Sequence, residues 1–302
     1  MRALSKASLA VTGVLSLVAI DAAIGGELST LKPPVGYKCE KINGGAELDL
    51  KGARVTFEDE FEKPSITPPA GDGPWFAPIH GGFGAAKFMP PRPGGQGPFF
   101  QRDGKLAIRM EKINGKWYSG IIQTVNKAGK GFAQRYGYFE IRAQFPAGQS
   151  NWPAFWLKSV NEFTDPSEPR GELDVIEAYG GNDINGYHSS VHIWPPNKPT
   201  AETAGMKHWQ SSCYRRIPGG LFDGQYHTYG VDVSPEKIRI YFDRKEIIRY
   251  DTIPVFQMPL FLLVDLAYST SEKRTNEEPS ELLVDYVRVW QRDDYVKAAD
   301  AQ

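Results

Sequence analysis

The sequence predicts an all-β protein, an antiparallel β-sandwich. Three observations carry that expectation: apolar side chains alternate with a two-residue period in short runs, turn-forming residues punctuate those runs, and no helix longer than two turns is written beyond the N-terminus. The first strand-like run is RVTFEDEF, residues 54–61. KLAIRME follows, with Leu106, Ile108 and Met110 on one face. In YGYFEIRAQFP, Phe139, Ile141, Ala143 and Phe145 alternate with Tyr138, Glu140, Arg142 and Gln144, the pattern of a half-buried strand. KIRIYF places Ile238, Ile240 and Phe242 together, and DRKE reads as the hairpin turn into IIRYDT. ELLVDYVRVW puts Leu283, Asp285, Val287 and Val289 on one parity and Val284, Tyr286 and Trp290 on the other. Both faces are largely apolar, so a central strand is expected.

The ends and the composition bound what the chain does. Residues 1–25 begin with basic Arg2 and Lys6, continue through an apolar run from Ala7 to Ile20 and close on small residues, which is the form of a removable secretory signal. The run is shorter than the roughly 20 apolar residues that span a bilayer. The expected product is secreted, extracellular or periplasmic, with an extended lead-in at 26–54, one domain at 55–292 and a tail at 293–302. Lysine and arginine number 35 and aspartate and glutamate 36, which leaves no electrostatic case for nucleic acid or an anionic membrane and favours a neutral substrate. A monomer is expected. The only cysteines, Cys39 and Cys213, fall in no CxxC pair; an oxidising compartment would let them bridge, and the sequence leaves that open. The Gly- and Pro-rich stretch 64–98 holds Trp75, Phe76, His80 and Phe83 and is expected to wall a cleft, with Trp75 against the substrate.

The segment GELDVIEAYG carries the chemistry. With 36 acids in 302 positions, one triplet at the spacing of Glu172, Asp174 and Glu177 is close to an even bet by chance, so its setting matters more than its existence. The acids alternate with Leu173, Val175 and Ile176, whose β-branching favours a strand, and no basic residue separates them. Glu172 and Asp174 share a parity that Glu177 lacks, so a one-residue bulge near Val175 and Ile176 is needed to bring all three to one face. Carboxyls packed together do not ionise alike: repulsion raises one pKa and holds a proton on it near neutral pH while another stays charged. Cleavage of a glycosidic bond needs that inequality, one carboxylate to attack and one carboxylic acid to protonate the departing oxygen.

These residues resemble the family 16 glycoside hydrolases in the bulged Glu-x-Asp-x-x-Glu form, and FEDEF near residue 60, YGYFEIRAQFPAGQSNWPAFWLKS, HTYGVDVSPEKIRIYFDRKEI and LLVDYVRVWQ extend the likeness over about residues 55–292. The resemblance implies a jelly-roll sandwich, concanavalin A-like, with a substrate groove on its concave face. It further implies Glu172 as nucleophile, Asp174 as assisting residue and Glu177 as general acid/base, with no cofactor for catalysis. Trp152 is expected as a sugar platform, with Trp156 in the core. His188 and His192 are expected beside the catalytic strand on one face with Ser190, and Tyr179 is a further binding candidate. A structural calcium on the convex side would use Glu60 and Asp285, although Asp285 could equally meet an arginine. Two departures stand out: DRK replaces the usual Asp-Gly-Lys hairpin, and Asp265 stands where many relatives have Asn. The long 64–98 segment leans toward enzymes that trim bacterial exopolysaccharides.

The expected activity is retaining endo-hydrolysis of β-1,3 or β-1,4 linkages in a glucan or exopolysaccharide. A transglycosylase would share the first half-reaction, and a non-catalytic sugar-binding sandwich would share the fold without needing both glutamates.

Overall fold

The computed structural model describes residues 34–300 apart from 64, 79–82 and 92–96. Residues 1–25, where a secretory signal is expected, and His80 lie outside the described residues. In chain order the strands are β1 (Glu40–Lys41), β2 (Arg54–Asp59), β3 (Ile66–Thr67), β4 (Trp75–Phe76), β5 (Lys87–Phe88), β6 (Phe99–Arg102) and β7 (Lys105–Ile113). Next come β8 (Lys116–Ser119), β9 (Ile121–Gln123), β10 (Gly137–Gln144), β11 (Asn151–Ser159), β12 (Arg170–Tyr179) and β13 (Asp183–Trp194). The last six are β14 (Trp209–Arg216), β15 (His227–Val233), β16 (Lys237–Phe242), β17 (Lys245–Asp251), β18 (Leu260–Tyr268) and β19 (Ser280–Gln291). Two short α-helices are described, α1 (Asn161–Thr164) and α2 (Asp293–Asp300); α2 gives the C-terminal tail just over two turns, slightly more helix than the sequence suggested. None of the described helices is long and apolar enough to cross a membrane.

Two sheets form the sandwich. One has the order β14-β13-β12-β11-β18-β9-β4-β3, and the other β1-β17-β16-β15-β10-β19-β7-β8-β5, with β2 added on β19 and β6 on β7. All pairings are antiparallel except the short β3–β4 and β5–β8 pairs. The inward residues of β7 and β10 are those that the alternation marks: Leu106, Ile108, Met110, Phe139, Ile141 and Ala143 are at most 1% exposed. Between the sheets they meet Leu173, Val175, Ile176, Val191 and Leu262 in one continuous core, which buries the apolar area that stabilises the fold.

β19 is central, between β10 on one side and β7 and β2 on the other. Its parity nevertheless differs from strict alternation. Arg142 pairs with Tyr286 and Ala143 with Val284, so Asp285 is the extra residue of a bulge. The core set is therefore Leu282, Val284, Val287 and Val289. On the outer face, the lead-in residues Leu48, Leu50 and Ala53 cover Tyr138, Tyr241 and Trp290.

Trp75 does not meet substrate. It is wholly buried between the sheets, packed edge-on against Phe57, and its indole Nε1 donates to Asp59 Oδ2 at 2.9 Å. A 2-residue strand paired with β9 and β3 pulls it into the core, a role that Gly/Pro punctuation alone does not signal. Phe83 from the same stretch does stand over the concave sheet, edge-on to Trp152 and Trp156. The cysteines are joined, Cys39 to Cys213.

Candidate active site

The floor of the site is made by β12 and its neighbours. Leu173, Val175, Ile176 and Ala178 are wholly buried in the core, whereas Glu172, Asp174, Glu177 and Tyr179 line a groove of about 650 Å³ on the other face. The change of parity is a one-residue bulge. Against β11, Trp156 pairs with Asp174 and Phe155 with Ile176. Against β13, Ser190 pairs with Asp174 and His188 with Glu177, so two steps on β13 face three on β12. The bulge falls at Val175 and Ile176, and both apolar residues turn inward, which is why three acids can share one surface.

The strands on either side supply the rest. From β13 come His188, Ser190, His192 and Trp194, which alternate outward as the two-residue period requires. From β11 come Trp152, Ala154 and Trp156, from β14 Gln210, Ser212 and Tyr214, and from β18 Asp265. Trp156 is on the groove side rather than in the sandwich core, and its Nε1 donates to Asp265 Oδ1 at 2.8 Å. Aromatic rings form a rail along one rim: Trp152 stacks with Tyr179, Tyr179 meets the edge of His188, and His188 meets Tyr214. Such faces suit the flat apolar side of a sugar ring. His188 is held by Asp183 at 2.8 Å, and Asp183 also accepts from the Tyr214 hydroxyl.

Electrostatics separates the two glutamates. Glu177 accepts a hydrogen bond from Trp152 Nε1 at 3.1 Å. Burial is the main reason that its carboxyl is pushed up to about 8, and any charge on neighbouring Asp174 adds to the rise, so it holds a proton at neutral pH. Burial also raises Glu172, a rise that the Lys158 ammonium opposes in part. Lys158 is the register partner of Glu172 on β11, is nearly buried and forms an ion pair with Glu162. Asp174 sits between the glutamates in sequence, and burial and the Glu172 charge raise it well above the usual carboxylate range. Its Oδ2 lies 2.9 Å from His192 Nε2. One ligating atom each from Glu172, Asp174 and His192 falls within 4.8 Å of the others, a closeness that this hydrogen bond accounts for, and we assign no ion to it.

Burial likewise pushes Asp265 well above its ordinary value, and its Oδ2 is buried with no hydrogen-bond partner. A protonated aspartic acid is neutral and nearly isosteric with asparagine, so burial, which favours that form, brings Asp265 toward the asparagine it replaces.

Glu60 and Asp285 do not make a calcium site. Arg288 binds Glu60 at 2.7 Å, while Lys105 and Arg142 both bind Asp285, Lys105 at 3.0 Å. A calcium ion needs oxygens free to turn toward it, and these carboxylates are already neutralised by fixed cations. The bulge that turns Asp285 toward β7 and β10 explains why its second reading, a carboxylate meeting arginine, is the one realised.

Of the binding candidates, Trp152, Tyr179, His188 and His192 come together with the acids, and Trp75 does not. Sequence reasoning missed Gln210, Ser212 and Tyr214, although WQSSCYRR alternates in the way that would have marked them. It also missed Lys158, hidden in an apolar run.

Residues 94–288 match the family model described as Glycosyl hydrolases family 16. The chain is 33% identical over 208 residues to "Endo-1,3-1,4-beta-glycanase ExsH" of Rhizobium meliloti (strain 1021), covering 65% of this chain and 40% of that relative. It is 29% identical over 205 residues to "Beta-glucanase" of Rhodothermus marinus, covering 61% of this chain and 66% of that protein. The fold is similar to the crystal structure of laminarinase from Flavobacterium sp. UMI-01, with a TM-score of 0.60 and 19% identity over 79% of this chain and 100% of that one. The match thus spans about two-fifths of ExsH and the whole of the laminarinase chain, and with its extent along this sequence it shows that the chain belongs to glycoside hydrolase family 16.

Proposed function

We propose that the protein is a secreted retaining endo-glycosidase that hydrolyses internal β-1,3 or β-1,4 linkages of a neutral glucan or exopolysaccharide. The observation that carries this reading is the unequal environment of two glutamates on one bulged strand: burial raises both, Glu177 to about 8, whereas at Glu172 the Lys158 ammonium opposes the rise. In the first step the Glu172 carboxylate attacks the anomeric carbon as the Glu177 proton passes to the glycosidic oxygen, and the carbon–oxygen bond breaks with its electron pair going to the departing sugar. In the second step Glu177, now a carboxylate, takes a proton from water; the water oxygen attacks the same carbon and frees Glu172. Asp174 assists by sharing its proton within the cluster.

A neutral polymer is favoured because the groove is lined by four acids and by no lysine or arginine among the described residues, so it offers an anionic sugar no countercharge. The names printed for the relatives, beta-glycanase and beta-glucanase, agree with this class. Secretion is supported by the leader-like residues 1–25 and by the Cys39–Cys213 bridge, which belongs to an oxidising compartment. Incubation with laminarin, lichenan and succinoglycan-type polymers, with products sized over time, tests the reading. A rapid drop to short oligomers is expected from at least one, and release of monosaccharide alone or no cleavage of any would overturn it.

A further inference from the structure

Outside the acids that carry the bond cleavage, a second histidine completes a chain of hydrogen bonds that runs from the groove to the surface. His192 Nε2 lies 2.9 Å from Asp174 Oδ2, and His192 Nδ1 lies 2.8 Å from Nε2 of His208. His208 belongs to the segment just before β14 and is exposed. Its ring is stacked on Trp194, with centroids 3.8 Å apart and planes 13° from parallel, and lies edge to edge with His192, centroids 5.1 Å apart and planes 12° from parallel. The Trp194 indole thus fixes the ring in the plane that aims its Nε2 at His192. Two aligned imidazoles, each with one nitrogen on the next group, are the geometry of a proton relay.

We propose that His208 and His192 form a relay that sets the protonation of Asp174, with His208 as a positioning residue for the catalytic cluster. In the resting state Asp174 Oδ2–H donates to His192 Nε2, and His192 Nδ1–H donates to His208 Nε2. When Asp174 ionises, its proton moves to His192 Nε2, the Nδ1 proton of His192 moves to His208 Nε2, and the Nδ1 proton of His208 leaves to water. Both rings are neutral before and after, so no positive charge is stranded beside the acids. Burial, which lowers both histidines, suits neutral rings. The groups facing the relay are Glu172 and Glu177 toward His192, Glu172, Glu177, Asp265 and Tyr179 toward Asp174, and from the opposite sheet the Tyr250 phenol, whose hydroxyl donates to the Ser189 carbonyl. Among the described residues, His208 is the group that carries the His192 Nδ1 hydrogen bond on to an exposed ring.

The test uses His208→Phe, which keeps a ring against Trp194 and removes the acceptor, and His208→Gln, whose amide oxygen restores one. ¹⁵N spectra of His192 and ¹³C titration of the Asp174 carboxyl read the relay directly and need no turnover. In the wild type at pH 6 to 7, His192 is expected as the Nδ1–H tautomer. In His208→Phe that preference is lost and the Asp174 midpoint falls by about one pH unit, while His208→Gln stays near the wild type. The kinetic arm rests on the glycosidase reading: earlier ionisation of Asp174 raises Glu177, so the alkaline limb of kcat/KM moves up by about half a unit in His208→Phe with little change in KM. A wild-type His192 in the Nε2–H form, or an Asp174 midpoint unmoved in His208→Phe, overturns the relay. Expected spectra with no turnover of any glucan would overturn the glycosidase reading and leave the relay standing.

Discussion

On the sheet that carries β10, β15 and β17, each of the three buried carboxyls meets an arginine: Glu140 with Arg244, Asp232 with Arg239, and Glu246 with Arg249. On the sheet that carries β12 and β18, the two buried carboxyls among the described residues meet no arginine: Asp174 faces a histidine, and Asp265 an indole and the Ala267 backbone N–H. The first arrangement sets a fixed positive charge against each buried carboxyl. The second removes the countercharge, so burial is relieved by holding protons, and acids that hold protons at neutral pH are what acid catalysis needs. The same residue type is thus structural on one face of the sandwich and reactive on the other, and the presence or absence of a nearby guanidinium decides which.

The comparison can be broken most severely at Glu172. Glu172→Gln should cut kcat by roughly 10⁴-fold or more while oligosaccharide binding, read by calorimetry, persists. Turnover at an undiminished rate would end the assignment of the nucleophile. On the opposite face, Arg244→Ala should leave the rate per folded molecule unchanged but strand the Glu140 carboxylate, costing about 3 kcal/mol, near the low end for a buried pair because Arg244 is 43% exposed. A melting temperature equal to the wild type would show that Tyr138 and Tyr286, which also donate to Glu140, suffice.

A smaller effect separates the faces by pH. Because the Glu177 carboxyl titrates at about 8 in the folded protein, far above its unfolded value, the native state binds more protons in between, so stability falls as pH rises from about 5 to 8. Activity at the alkaline end should fall through the same midpoint. Glu177→Gln should flatten the stability profile measured by denaturant unfolding; an equally steep profile would place the titrating proton elsewhere. The smallest effect is expected at Asp265→Asn, with kcat/KM at pH 6 within about fivefold of the wild type, or about 1 kcal/mol, since a neutral group replaces a neutral group. A loss of a hundredfold would mean that Asp265 works as a charge.

Most of the architecture was legible in the alternation of β7, β10 and β16, and the bulge at Val175 and Ile176 followed from parity alone. Regular period failed where a second bulge intervened, at Asp285, because nothing in LLVDYVRV marks the extra residue. Trp75 was misplaced for a different reason: an aromatic in a Gly/Pro-rich loop can face a groove or plug a core, and only the partner strand decides. His208 and Lys158 carried no signal, one lying outside any strand and the other reading as an ordinary lysine in an apolar run. In the DRK turn, Arg244 occupies a left-handed position at φ 60° and from there reaches both oxygens of Glu140, which the turn sequence alone does not reveal. Roughly 1 kcal/mol of backbone strain at that position is offset by a bidentate pair that glycine could not make.

The Cys39–Cys213 bridge has a consequence beyond compartment. Cys39 immediately precedes β1, the outermost strand of one sheet, and Cys213 lies in β14, the outermost strand of the other. The bond clamps both free margins of the sandwich at the same side. Unpaired strand margins are where sheets recruit other chains, so the clamp guards against fibrous self-association as much as against unfolding. A reduced protein that remained folded would be expected to gather into aggregates along that margin before it lost its groove.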